Sequence, residues 1–185
     1  TSIVATAHHY GATWVDYDVI GDWKAKGGCN NDWKLSYDLI MNIPNGQEQQ
    51  EQQTNKNDGL TLEQVTETFE RFYQGVPNDD KYPGLCNLET LIPTKTTLIE
   101  LRKRSNYVGI VTGRPKKDCE KFLKIHGLED LIDACVCMED GPPKPDPFPV
   151  LECCKRLGVD PSPSVVLVGD TPDDIRAALA AGCRG

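Results

Sequence analysis

Val165-Val166-Leu167-Val168-Gly169-Asp170-Thr171-Pro172-Asp173-Asp174 is the stretch on which the fold turns. Four successive aliphatic residues read as a strand buried on both faces. Gly169 and Asp170 end that strand, and Pro172 with two acids behind it opens a helix spanning about Asp173 to Ala181. Capping and the helix dipole account for one acidic residue here, whereas three follow the strand. Asp170, at the strand end, and Asp174, four residues on, are therefore candidate metal ligands. Magnesium suits so sparse a set, because it takes one or two carboxylates and fills its shell with water and substrate phosphate.

The same strand-then-helix rhythm extends upstream. A helix over 94–104, with Leu98 and Leu101 inward, leads to an apolar strand from Tyr107 to Val111 that ends in Thr112-Gly113-Arg114-Pro115. A helix from Lys116 to His126 stops at Gly127, a second strand covers about Ala134 to Met138, and a helix runs from Phe148 to Leu157. Such alternation predicts an α/β fold whose parallel sheet is covered on both faces. Ligands of these sheets sit beyond the carboxyl ends of the strands. Thr112 and Gly113 stand at one such end, where a hydroxyl and backbone N–H groups at a helix entrance make a phosphate seat. Lys144 lies in Gly141-Pro142-Pro143-Lys144-Pro145-Asp146-Pro147, a loop stiffened by four prolines, and supplies a point charge for carboxylates and phosphate.

The first half reads differently. Asp16 is placed to cap a helix through Val19, Ile20 and Trp23 that Gly27-Gly28 stops, and a second helix starts near Asn31-Asp32. Residues 45–59, NGQEQQEQQTNKNDG, contain nothing hydrophobic and read as a mobile surface loop. Thr61-Leu62-Glu63-Gln64 has the capping-box pattern, followed by an apolar stripe of Leu62, Val65, Phe69 and Phe72.

A net charge of -8 argues against nucleic acid or anionic membrane as a partner. No apolar run approaches the roughly 20 residues of a membrane span. The eight cysteines lack the paired spacing of a zinc site and read as reduced core thiols, which points to the cytoplasm or an organelle interior. Nothing in the sequence speaks to oligomeric state.

Thr112, Lys144 and Gly169-Asp170-x-x-x-Asp174, in that order and each at a strand end, resemble motifs two, three and four of the haloacid dehalogenase superfamily. The segment Gly28-Cys29-Asn30-Asn31-Asp32-Trp33, with the KPDP segment, is similar to a phosphoglycolate phosphatase-like branch. The resemblance implies a Rossmann-like core over 94–185, incomplete at its ends, with an α-helical cap over 1–93. It also implies Mg²⁺-dependent hydrolysis of a small phosphorylated metabolite, 2-phosphoglycolate or a sugar phosphate, through an aspartyl-phosphate. Thr112 would then bond the phosphoryl group and Lys144 balance its charge. Asp170 would ligate the metal, and Asp174 would fix the metal site and Lys144.

Asn31 and Asp32 are candidate cap residues toward substrate, and Arg114 either meets a substrate carboxylate or sits in solvent. The family's first motif, a buried strand ending in Asp-x-Asp, has no clear match. Asp16-Tyr17-Asp18 has the spacing, but no buried strand precedes it, so both acids read as helix-start residues and the nucleophile is expected upstream of Thr1. A non-catalytic relative serving as a binding or scaffold subunit is the alternative.

Overall fold

The computed structural model describes residues 1–41, 57 and 59–185. Except for Asn57 and Gly59, the loop expected over 45–59 lies outside the described residues. The chain divides into two compact units, one formed by Thr1–Lys24 with Asn31–Glu89, the other by Ala25–Asn30 with Thr90–Gly185.

The first unit is helical. Helices α1 (Ser2–His9), α3 (Asp32–Met41) and α4 (Leu62–Gln74) pack pairwise against one another. Their buried stripes are Ile3 and Ala7, then Leu35, Leu39 and Ile40, then Val65 and Phe69, each at the three- or four-residue spacing of one helix face. The Thr61 capping box forms, with Thr61 Oγ1 accepting from Gln64 N at 3.3 Å and Thr61 N donating to Gln64 Oε1 at 2.9 Å. Leu62, expected in the stripe, is instead exposed; it is the first residue of the helix, at the end of the buried face. Asp16 Oδ1 accepts from Val19 N at 2.9 Å and so opens α2 (Tyr17–Lys26). Helix α1 was not anticipated as a separate element.

The second unit holds the sheet. Strands β1 (Gly109–Val111) and β2 (Ala134–Val136) run parallel, with Gly109 opposite Ala134 and Val111 opposite Val136. Helix α7 (Phe148–Leu157) packs on both strands. Gly109 permits that approach, since a Cβ there would overlap Cys153 Sγ. Strand alternation turns Ile110 and Cys135 to the opposite face. There they meet Cys119 and Leu123 of α6 (Lys116–His126), together with Leu128 and Cys137. Burial pushes the Cys119 thiol up to about 12, and the adjoining Cys137 and Cys135 thiols add to it. A second core joins Val150 and Cys154 of α7 to Ala177 and Ala178 of α8 (Pro172–Ala180), with Val165 and Leu167 against it. Helices therefore cover both faces of a parallel sheet, as an α/β core requires.

Three expectations need correction. Val165–Val168 is not a strand of the sheet; it makes one parallel bridge, Val166 to Arg184, through Leu167 N to Arg184 O (2.9 Å) and Arg184 N to Val165 O (3.0 Å). Its burial is one-sided, because Val165 and Leu167 face the core while Val166 and Val168 are 51% and 90% exposed. In α5 (Lys95–Arg104), Leu98 packs inward but Leu101 is exposed, and Tyr107 lies outside β1 and is also exposed. All eight cysteines are free thiols. No helix among the described residues is long and apolar enough to cross a membrane.

Candidate active site

Three loops of the second unit meet at one place. The first continues β1. Thr112 N donates to Val136 O at 2.9 Å, which prolongs the ladder by one residue. Thr112 Oγ1 then accepts from Arg114 N at 3.2 Å, a local turn that holds the hydroxyl at the entrance to α6. The second loop carries Lys144. Its ammonium donates to Asp174 Oδ1 at 2.5 Å and to the carbonyl of Val111, next to Thr112, at 3.5 Å. The third loop is 169–174, where Asp174 folds back so far that a Cβ on Gly169 would overlap its carboxyl group. Glycine before Asp170 is thus a packing requirement.

The Lys144–Asp174 pair is withdrawn from water, with side chains 13% and 4% exposed. Asp174 Oδ2 also accepts from Thr171 N at 2.9 Å and Thr171 Oγ1 at 2.7 Å. Burial alone would raise the Asp174 carboxyl; the hydrogen bonds from Lys144 and Thr171 outweigh it and hold the group below its ordinary range. A charge pair with its remaining lone pairs satisfied is the arrangement in which a buried carboxylate stays ionised. Lys144 is consequently held in place beside the end of β1.

Asp170 is exposed, and its carboxylate has no side-chain partner among the described residues. As an oxygen ligand for magnesium it fits. Asp174 fits less directly, since both of its oxygens are engaged, and its geometry suits holding Lys144. No three His, Cys, Asp or Glu residues gather into a metal cluster among the described residues, so a cation here would draw other ligands from water and substrate. Of the remaining candidates, Arg114 lays its guanidinium over the Phe122 ring, 5.5 Å from the centroid, and Gly113 lies against the carbonyl of Asn30. Asn31 and Asp32 belong to the first unit. There Asn31 Oδ1 accepts from Lys34 N at 3.0 Å, and Asp32 pairs with Lys24 at 3.0 Å.

One residue was missed. Asp173, read from sequence as a helix-start acid, is 1% exposed and bonded to Gly28 and Asn30. The signal that could have found it is the Gly27-Gly28 pair with Asn30 two residues on, a sequence able to pass close over another loop.

A family described as haloacid dehalogenase-like hydrolase matches residues 40–185. The chain is 44% identical over 182 residues to an imidazoleglycerol-phosphate dehydratase of Phytophthora nicotianae, covering 98% of this chain and 37% of that protein. It is 35% identical over 124 residues to a phosphoglycolate phosphatase of Haemophilus influenzae, covering 66% of this chain and 51% of that one. The chain thus spans about half or less of the length of these relatives. A crystal structure described as a haloacid dehalogenase-like hydrolase from Bacteroides fragilis superposes with a TM-score of 0.67 at 22% identity, covering 98% of this chain and 75% of that one. At that identity the likeness is one of fold.

Proposed function

The chain belongs to the haloacid dehalogenase-like hydrolase family, and on that premise we propose that it forms the core and α-helical cap of a phosphomonoester hydrolase acting on a small phosphorylated metabolite. The observation that carries this reading is the buried, doubly satisfied Lys144–Asp174 pair set against the end of β1, one residue from Thr112. A cation fixed in a dry recess beside a hydroxyl and a helix entrance is suited to a phosphoryl group. It costs no reorganisation when charge develops on the phosphoryl oxygens.

In this reading Thr112 Oγ1 and the backbone N–H groups around Gly113 orient the phosphoryl group, and Lys144 offsets its charge. Asp174 keeps Lys144 in place. Asp170 would hold Mg²⁺, which when bound neutralises phosphate oxygens that otherwise repel a nucleophile. The family's nucleophile is an aspartate, which forms an aspartyl-phosphate as the alkoxide leaves and is freed when water attacks phosphorus. None of the gathered side chains fills that role, and Asp16 and Asp18 open a helix of the first unit. The second reading is a binding or scaffold subunit.

Relatives named for phosphoglycolate and imidazoleglycerol phosphate put both compounds on the substrate panel, beside sugar phosphates. The deciding experiment measures phosphate release from that panel with Mg²⁺, using the full protein. Asp170→Asn should lower kcat by ~10²–10³, the loss typical of one electrostatic stabiliser. No release by the wild type would favour the scaffold.

A further inference from the structure

Asp173 is a carboxylate in the first turn of α8, where acids ordinarily face solvent and favour the helix dipole. This one faces inward. Its Oδ2 accepts from Gly28 N at 2.6 Å and from Asn30 Nδ2 at 2.7 Å, across more than 140 residues of sequence. Arg176 Nη1 lies 3.2 Å from Oδ1. Asn30 uses the second hydrogen of the same amide on the Lys144 carbonyl, at 2.7 Å. The backbone carbonyl of Asn30 lies against Gly113, where a Cβ would stand 2.7 Å from it. Gly27 and Gly28 have φ of 85° and 77°, and a Cβ on Gly27 would collide with the Asp173 carboxyl and Arg176. Residues 27–30 therefore form a strap that touches all three loops bearing the candidate site residues, and Asp173 anchors it with a charged group.

We propose that Asp173 is a positioning residue: by holding the Gly27–Asn30 strap across the 112–114 and Lys144 loops, it fixes the wall of the phosphate pocket. The proposal rests on the phosphohydrolase reading of that pocket. Asp173 lies outside the pair that supplies charge, and it acts through Asn30. Charge-assisted bonds to a buried carboxylate are among the stronger links available to a loop. Their loss frees the strap from the Lys144 and Gly113 loops together.

The test uses the full protein with Asp173→Ala, Asp173→Asn, Asn30→Ala and the double alanine variant, each confirmed folded by circular dichroism. Affinity for inorganic phosphate with Mg²⁺ is read by calorimetry, and KM and kcat are read on p-nitrophenyl phosphate. Asp173→Ala and Asn30→Ala should each weaken phosphate binding and raise KM at least tenfold. The double variant should be no worse than the poorer single, since one link is removed twice. Asp173→Asn, which keeps the accepting oxygen, should recover most of the affinity. A purely structural role would lower the active fraction and leave KM unmoved. Single alanine variants within twofold of wild type, effects that multiply in the double, or a wild type that binds no phosphate would each overturn the proposal. Phosphate binding without turnover would defeat the hydrolase reading alone, and the calorimetric comparison would still decide the role of Asp173.

Discussion

Replacing Lys144 with methionine keeps most of the side-chain volume and removes one charge of the buried pair. At 2.5 Å and an effective dielectric constant of about 20, the attraction between the two charges is roughly 7 kcal/mol. Desolvation, several kcal/mol per ion, offsets most of it. The net value of the pair is accordingly small, whereas the cost of breaking it is large, because Asp174 remains buried with Oδ1 unpaired. Thr171 still serves Oδ2, so the expected loss is about 3 kcal/mol, the low end for a severed buried pair. With a urea dependence of about 2 kcal/mol/M, the unfolding midpoint should fall by about 1.5 M. Lys144→Met/Asp174→Leu carries no stranded charge and forfeits mainly the Thr171 contacts, so it should be more stable than Lys144→Met. The coupling energy should be at least about 2 kcal/mol. Trp14, Trp23 and Trp33 all lie in the first unit, so the transition must be followed by far-UV circular dichroism and not by tryptophan emission. A single variant within 0.3 M of wild type, or a double variant less stable than the single, would refute the argument; these thresholds are about a fifth of the expected shift.

Two further outcomes follow from the same geometry. Gly169→Ala should cost ~1–3 kcal/mol, because its Cβ must displace the Asp174 carboxyl; a urea midpoint equal to that of wild type would show that the loop has room. The Asp174 carboxyl is held below its ordinary 3.8, so its stabilising contribution is complete above that pH and is lost as pH falls through the lower folded value. The stability gap between wild type and Asp174→Asn, measured by urea unfolding from pH 7 to 2.5, should stay level above pH 5 and close below about 4; a gap that widened on acidification would contradict the assignment.

Much of the fold could be read in advance where local chemistry and tertiary packing agree. Helix α6 and helix α7 run to the residues expected because Gly127 and Gly158 take left-handed caps behind clean apolar faces. Reading failed where the deciding partner is remote. Val168 looks like core in its own sequence, and its exposure depends on what packs against that side. Leu101 has helical spacing, but whether its face is covered is a property of its neighbours. Thr112, Lys144 and Asp174 stood out in the sequence because each was read at or after a strand end, and ligands of parallel sheets sit beyond such ends; Lys144 and Asp174 do pair in the structure. Asp173 was not, since its carboxylate sits beside Asp174 in sequence and its partners, Gly28 and Asn30, are encoded far upstream.

The thiols packed between α6 and the sheet give the second unit an internal clock. At pH 8 a group with a pKa near 12 is ionised about one part in ten thousand, and Cys119 is also closed to reagents in the folded state. Its alkylation therefore waits for the surrounding core to open. The labelling rate, divided by that of an unstructured cysteine peptide, reports the free energy of that opening directly. The native chain carries its own gauge of how often this half of the molecule breathes, with no residue substituted.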